Sequence, residues 1–337
     1  MKESSKKISG LFLKLASVIV VFLLIYLTAK GQVGNIADTI KTINIPTLIL
    51  AIFVFSFSLA ITFYRWYFLL KMQEINLTFK ETLILHMSGF FFNTTTPGAV
   101  SGDVIKMATV MKRDPQNRIP AIMTIFMDRL IGLFALIILV LILVVPSYEF
   151  VLQEGSDNLK LAVAIVAGAS LAGVLFMFGW IFRNKICSLP IIKNIIAWMA
   201  RKSPKLFTAF QEVFDTIDTY KSKWKKCLYL FSLSLLSHFF LGLSFYIVGR
   251  SLGISANPLL FILSIQISNA LSAVLPLPGG LGIRDTIGKA FLLALGCSEA
   301  QAASTPLMYT AVILFWAAVG SIFFIYWRTA FKRTQNN

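Results

Sequence analysis

Two short stretches of this sequence place proline, glycine and charged residues together inside long apolar regions. The first, TTPGAVSGDVIK, ends at Lys106, and the second, PLPGGLGIRDTIGK, ends at Lys289. Each reads proline-glycine, small residues, a glycine, an aspartate and then a lysine about one helical turn later. Because proline and glycine interrupt a helix, the segment after each break begins with free N–H groups and a positive partial charge. The pattern therefore predicts two sites for an anion such as a phosphate group.

Two other interpretations of these stretches remain open beside anion binding. Gly98 and Gly102 show the GxxxG spacing at which membrane helices commonly pack closely together. The aspartate of each stretch also fits the role of a counter-ion, for Lys106 in the first and for Arg284 in the second. The counter-ion role does not exclude ligand binding, whereas packing alone would explain the glycines without it. Asn93 and the threonines after it are expected to satisfy interrupted backbone groups or to contact the ligand.

A further pair of charges lies in the apolar stretch MTIFMDRLIGLF. Asp128 and Arg129 are adjacent, and neighbouring helix positions point about 100° apart, so each needs a partner on another element. We expect Asp128 to pair with a base of one of the two broken regions. Arg65 in FYRWYF lies close to the helix end predicted at Lys71, and we expect its side chain to reach the lipid headgroups there.

The candidate substrate-binding residues lie around the two breaks or form the Asp128–Arg129 pair. We predict no catalytic residue, no metal site and no cofactor, since the sequence contains no HExxH, P-loop or Ser-His arrangement. The three cysteines show no CxxC spacing. The candidate set is Asn93, Thr95, Pro97, Gly98, Ser101, Gly102, Asp103, Lys106, Asp128, Arg129, Pro278, Gly279, Gly280, Gly282, Arg284, Asp285 and Lys289.

Composition indicates which elements must position these residues. Of 337 residues, 57% are apolar and 14% are charged, whereas soluble domains carry about 25% charged residues. Six stretches are long enough to cross a bilayer, which needs roughly 20 apolar residues. We therefore predict an all-α polytopic membrane protein with six full spans and two broken or re-entrant helical hairpins in an inverted repeat. The predicted spans are 11–29, 46–70, 119–145, 159–182, 226–249 and 304–327.

The two broken regions, 81–112 and 257–297, are too short on each side of the break to be pairs of ordinary spans. Their limbs are about 16–18 residues long, and at about 1.5 Å per residue they reach about 24–27 Å. The hydrocarbon core is roughly 30 Å thick. Re-entrant hairpins and sharply tilted helix pairs both fit these lengths.

Loop charges predict the orientation of the chain. Ten lysines and arginines lie in the loop 183–226, whereas 147–158 carries acidic residues and no base. A there-and-back path for 81–112 keeps every strongly basic loop cytoplasmic, and a single crossing would put the ten-base loop outside. We therefore predict a cell (inner) membrane protein with cytoplasmic N- and C-termini. Within the basic loop, residues 205–220 predict an amphipathic helix on the inner membrane surface.

Each broken region is preceded and followed by a span, so the chain contains two similar units. The first repeat is 45–146 and the second is 226–328, within a single transmembrane domain covering 1–337. The basic cytoplasmic loop 183–225 separates them. By the charge assignment one hairpin enters from the cytoplasm and the other from outside, which is the arrangement of inverted-repeat transporters.

The stretches TTPGAVSGD and PLPGGLGIRD, with DRLIGLF between them, resemble the lysylphosphatidylglycerol synthase transmembrane (flippase-like) family over roughly residues 45–328. The family's late P-x-G-G-L-G-x-R/E motif is similar to this chain's, with Asp285 where glutamate is expected. The resemblance implies a role in lipid translocation; in the two-part synthases this region moves aminoacylated phosphatidylglycerol across the membrane. The matching residues are Gly102, Asp103, Asp128, Arg129, Gly279, Gly280, Gly282, Arg284 and Asp285.

The chain departs from the two-part synthases at its C-terminal end. It ends at Asn337, ten residues after the last predicted span, so we expect no soluble transferase domain and no aminoacylation by this chain. Related stand-alone members are linked with other lipids, including hopanoids and polyprenyl carriers. The cargo therefore need not be a lysyl lipid.

The resulting functional expectation is a lipid flippase or transporter for an anionic or zwitterionic headgroup. Its expected partners are membrane lipids and a separate lipid-modifying enzyme, and no nucleic acid. One alternative is a membrane enzyme or synthase accessory in which Asp103, Asp128 and Asp285 form an acid/base set. The other alternative is a membrane scaffold that does not transport.

Overall fold

The fold is described by a computed structural model covering residues 38–96, 100–154, 157–181, 219–274 and 282–335. Within these ranges the regular secondary structure is helical and contains no strand, which confirms the predicted all-α class. The helices are α1 (Ile45–Met72), α2 (Phe79–Thr95), α3 (Ser101–Arg113), α4 (Arg118–Glu154), α5 (Asp157–Ile181), α6 (Trp224–Ser251), α7 (Pro258–Val274), α8 (Ile283–Ala294) and α9 (Glu299–Gln335).

Helices α1, α4, α6 and α9 are long and apolar enough to cross a membrane and contain four of the six predicted spans. Helix α5 covers most of the predicted span 159–182, and its apolar part among the described residues is Val163–Gly173. The predicted span 11–29 lies outside the described residues, as does most of the amphipathic helix predicted at 205–220. The count of six spans therefore stays a prediction.

The centre of the bundle is the contact between α1 and α6, which small polar side chains hold together. The Ser58 and Ser237 hydroxyls hydrogen-bond at 2.8 Å, and the Ser244 hydroxyl donates to the Ala51 carbonyl at 2.9 Å. All four residues are buried. Between apolar helices, burial of apolar area gives little preference for one packing, so small residues and interhelical hydrogen bonds fix the contact.

The first broken region forms a helical hairpin, α2–α3, in which the start of α2 and the end of α3 are in contact. Thr78 and Glu81 form a capping box at the start of α2, and Glu81 also pairs with Arg113 at the end of α3. Burial favours a higher pKa for Glu81, but hydrogen bonds from Thr78 and the Arg113 charge outweigh it and lower that pKa below its ordinary value. Near the break, Gly102 lies against the backbone of Gly89 so closely that a Cβ at Gly102 would collide with it.

The second broken region forms the hairpin α7–α8 in the same way. Ile254, just before α7, and Leu292, near the end of α8, belong to one buried apolar cluster. Gln301, in the first turn of α9, donates its side-chain amide to the Leu252 carbonyl at 3.4 Å. The start of α7, the end of α8 and the start of α9 therefore lie at one end of the bundle.

Contacts between helix termini give the bundle two different ends. At one end the Lys223 ammonium donates to the Met72 carbonyl at 2.8 Å, and at the other the Asn44 N–H donates to the Ser251 carbonyl at 2.9 Å. The first end, which we call the basic end, gathers basic residues from the termini of α1, α2, α3, α4 and α6. These are Lys71, Lys80, Lys112, Arg113, Arg118, Lys223, Lys225 and Lys226.

Candidate functional site

The two adjacent charges of α4 separate to different partners, as their helix geometry predicts. Asp128 accepts a hydrogen bond from Nε of Arg65 on α1 at 2.6 Å, and Arg65 also donates to the Ser234 hydroxyl of α6 at 2.7 Å. Arg65 is 6% exposed. The expectation that Arg65 reaches the headgroups is therefore wrong, and so is the expectation that Asp128 pairs with a base of a hairpin. Ser234 supplies the polar partner that lets Arg65 stay inside.

Arg129, the other member of the pair, crosses from α4 to α3 and binds Asp103. Its Nε lies 2.6 Å and its terminal nitrogen 2.5 Å from the same carboxylate oxygen, Oδ2. The other oxygen, Oδ1, faces Lys106 Nζ at 3.7 Å and the Asn93 amide at 3.5 Å. The Arg129 side chain is 50% exposed, whereas those of Asp103 and Lys106 are each 7% exposed. The Asp103 carboxylate is thus buried between two cations.

Asn93 holds the start of α3 in place. Its side-chain oxygen accepts a hydrogen bond from the Gly102 N–H at 2.7 Å. This confirms the prediction that Asn93 satisfies interrupted backbone, and it occupies one of the N–H groups expected to face an anion. Thr95 donates its hydroxyl to the Phe91 carbonyl of its own helix, and Ser101 is the first residue of α3. The packing role left open for Gly102 is present as well, through its contact with α2.

Lys106 lies in a pocket of side chains that includes a tryptophan. Its ammonium is 4.7 Å from the centroid of the Trp66 ring, within the distance of a cation–π contact. Its stem passes Gly89, whose missing side chain makes room for it. The Trp66 indole nitrogen and His86 Nδ1 are buried there without a hydrogen-bond partner. No motif in the sequence indicates Trp66 as a site residue, although it directly follows Arg65.

A second polar group forms at the start of α8. Asp285 accepts hydrogen bonds from Arg284 at 3.0 Å, from the Thr310 hydroxyl at 2.9 Å and from the Gly282 N–H at 3.0 Å. Arg284 also binds Thr310 and lies over the Tyr309 ring at 5.4 Å. Gly282 has a positive φ of 83°, which favours glycine at this helix start. Arg284 and Asp285 are 3% and 0% exposed, so their charges neutralise each other inside the protein.

Lys289, the last basic residue of the second stretch, pairs with Glu299 across the α8–α9 turn at 3.0 Å. It does not belong to the contacts of the Asp285 group given above. Five further candidate residues lie outside the described residues, so their placement stays a prediction. These are Pro97, Gly98, Pro278, Gly279 and Gly280.

The charged residues around Asp103 form a set that we call the Asp103 cluster. Its members come from α1, α3 and α4, with Asn93 of α2 at its edge. Lys106 interacts electrostatically with both acidic members and with both arginines, which makes the set one electrostatic unit. Ionisable residues inside a membrane protein are expensive, and they usually mark a substrate or ion pathway. The Asp103 cluster consists of Arg65, Asp103, Lys106, Asp128 and Arg129.

Comparison with known proteins assigns the chain to a family. The sequence profile described as the lysylphosphatidylglycerol synthase TM region matches residues 13–320. The chain belongs to this family. A UPF0104 membrane protein of Pyrococcus horikoshii is similar to it, with 24% identity over 304 residues that cover 84% of this chain and 88% of that protein. The family and the four long apolar helices identify a multi-pass membrane protein linked to lipid handling.

Proposed function

We propose that this chain is an integral membrane lipid transporter, or flippase, that moves a phospholipid or another phosphate-bearing lipid between the two leaflets. The observation that carries the proposal is the Asp103 cluster, a set of charges inside a bundle of this family in which every member but Arg129 is buried or nearly so. A lipid headgroup crosses the bilayer slowly because its charge must leave water for hydrocarbon. Buried cations at the end of a broken helix offer the phosphate an alternative polar environment along the way.

The proposal of a transporter is supported by the predicted inverted repeat. That repeat is supported in turn by residues that occupy corresponding positions in the two units. Asp103 and Asp285 are each the third residue of their helix, α3 and α8. Arg129 lies eleven residues after the first residue of α4, and Thr310 lies eleven residues after the first residue of α9. Each of these two side chains bonds the aspartate of its own unit.

The packing of the helices follows the same correspondence. Helix α2 packs on α9 as α7 packs on α4, and α3 packs on α4 as α8 packs on α9. The two first helices, α1 and α6, pack on each other at the centre. Such pairs are expected when two units of similar fold and opposite orientation are related by an axis in the membrane plane.

The basic end supports a cytoplasmic position for that side of the bundle. Its lysines and arginines follow the positive-inside rule, and cation–π contacts such as that of Lys80 with Tyr326 combine a cation with an aromatic residue, as at membrane interfaces. In this orientation α2–α3 enters from the cytoplasmic side and α7–α8 from the outer side. We propose that both are re-entrant and that the headgroup passes between their inner tips.

A proteoliposome assay tests the proposal. The full chain is reconstituted with fluorescent phosphatidylglycerol, and an impermeant reductant measures how much label reaches the outer leaflet. We expect wild type and Lys41→Met to accelerate this exposure over protein-free vesicles, and Lys106→Met to lose the acceleration. Lys41 is the matched control because it lies in an exposed ion pair outside the cluster.

Two results of this assay would overturn the proposal. Exposure no faster than in protein-free vesicles would favour the scaffold alternative. A chemically altered headgroup, detected by mass spectrometry of the recovered lipid, would favour the membrane enzyme.

A further inference from the structure

The Asp103 cluster carries more positive than negative charge. It contains the three cations Arg65, Lys106 and Arg129 and the two carboxylates of Asp103 and Asp128. The Arg65–Asp128 pair is balanced, so two cations share one carboxylate. The cluster therefore has a formal net charge of one positive, counted over the described side chains. The Lys106 side chain is 7% exposed, and a buried cation is costly unless an anion compensates it.

The two carboxylate oxygens of Asp103 make unequal contacts with the two cations. Its Oδ2 makes both short contacts, at 2.6 and 2.5 Å, and both are with Arg129. Its Oδ1 lies 3.7 Å from the Lys106 ammonium and 3.5 Å from the Asn93 amide, beyond the usual range of a good hydrogen bond. The Asp103 carboxylate thus bonds closely to Arg129 and makes only a long contact with Lys106.

We propose that Lys106 and Arg129 bind a phosphate diester, and that the Asp103 carboxylate occupies this site as a substitute for the diester when none is bound. The diester and Asp103 therefore compete for the two cations. The inference rests on the proposed function and names the position where the headgroup phosphate binds. A diester carries one negative charge, which would neutralise the cluster. Its oxygens match the planar fork of an arginine, and Arg129 is half exposed and accessible to an entering headgroup. On binding, the diester replaces the Asp103 carboxylate in its contacts with Arg129 and Lys106, and the carboxylate stays within the cluster, so that the charge of the diester balances the excess positive charge.

The Asp285 group provides an internal contrast. There Arg284 and Asp285 balance each other, and Thr310 and the Gly282 N–H complete the bonds of the carboxylate. Both charged side chains are almost fully buried, at 3% and 0% exposure for Arg284 and Asp285. This group has no charge left for an anion to neutralise. The starts of α3 and α8 therefore differ in charge, and we expect the phosphate to bind at the start of α3, in the first unit.

Calorimetric binding tests the substitute role directly. The full chain, purified in a neutral detergent, is titrated with dihexanoyl-phosphatidylglycerol and separately with inorganic phosphate. We expect Asp103→Asn to bind the lipid about tenfold more tightly than wild type, because it removes the competing charge. The control Asp38→Asn removes a carboxylate from an exposed ion pair and should bind like wild type.

A second pair of variants tests the same idea without removing Asp103. Asn93→Asp keeps the acceptor for the Gly102 N–H, so the helix start stays capped, but it places a second negative charge beside the Asp103 carboxylate. We expect about tenfold weaker lipid binding than in Asn93→Ser, which keeps an acceptor without the charge. Chromatography and thermal melting establish that each variant is folded; if Asp103→Asn is not, the Asn93 pair decides.

Binding and transport give separable outcomes. Lipid affinity that is unchanged or weaker in Asp103→Asn, or equal in the two Asn93 variants, would overturn the substitute role even if wild type moves lipid in proteoliposomes. Tighter binding by Asp103→Asn, together with no lipid movement by wild type in proteoliposomes, would support the phosphate site and overturn the transport proposal. If inorganic phosphate binds as tightly as the lipid and responds to the same variants, the phosphate site stands and its ligand is free phosphate rather than a headgroup.

Discussion

Replacing Arg65 or Asp128 should reveal how strongly the buried pair holds α1 to α4. The two side chains are 7% and 13% exposed, and their contact is 2.6 Å long. Removing one partner leaves the other charge buried, which costs about 3–5 kcal/mol in proteins. In the double variant Arg65→Gln with Asp128→Asn, two neutral amides can hydrogen-bond, so we expect most of that loss to be recovered. Because each single variant loses about 3–5 kcal/mol, the coupling energy should then be about 5 kcal/mol or more.

The assay is unfolding by sodium dodecyl sulfate in mixed micelles, which gives the unfolding free energy of wild type, both single variants and the double variant. The cycle Lys41→Gln with Asp38→Asn serves as the control, because that pair is exposed and should show no resolvable coupling. Interhelical hydrogen bonds in membranes couple by about 0.6 kcal/mol on average. A coupling at or below that value for Arg65 and Asp128 would refute the buried ion pair as a major contact.

Three further predictions concern the hairpin, the orientation and the basic end. Gly102→Ala should destabilise the fold by about 1–3 kcal/mol, since its Cβ would collide with the α2 backbone, whereas Gly168→Ala, with no neighbour within 4 Å, should not lower stability in the same unfolding assay. In a cysteine-free background on intact cells, an impermeant thiol reagent should label Asp157→Cys and spare Ser222→Cys; the reverse would overturn the orientation. The pKa of Glu81 is lowered by folding, so its stabilising effect should be present above its unfolded pKa of about 4.3 and disappear as pH falls through the lower folded value. The melting temperatures of Glu81→Gln and wild type should therefore differ near neutral pH and become equal in acid.

The positions of the helices were largely predictable, because bilayer thickness and helix-breaking residues act locally in the sequence. Helices α2 and α3 stop and restart around the first break, at Thr95 and Ser101, and the contact of Glu81 with Arg113 agrees with the there-and-back path chosen from loop charges. The separation of Asp128 from Arg129 followed from the angle between adjacent helix positions alone. These features need no knowledge of which helices are neighbours.

The partners within the site were less predictable, because they depend on packing between helices distant in sequence. The short distance of Arg65 from Lys71 in the sequence predicts a long side chain that leaves the membrane interior near a helix end. Asp128 and Ser234, from α4 and α6, instead hold it inside. The contact between Trp66 and Lys106 likewise requires the α1–α3 arrangement, which no local pattern in the sequence encodes.

The proposed transport depends on binding of a phosphate-bearing headgroup inside the bundle at the Asp103 cluster. The most direct measurement is an electron cryomicroscopy structure of the full chain in nanodiscs of phosphatidylglycerol, comparing wild type with Asp103→Asn. We expect lipid density in the variant with its phosphate within hydrogen-bond distance of Lys106 and Arg129. Lipid phosphates confined to the two ends of the bundle in both structures, with Lys106 and Arg129 in contact only with protein groups, would contradict it.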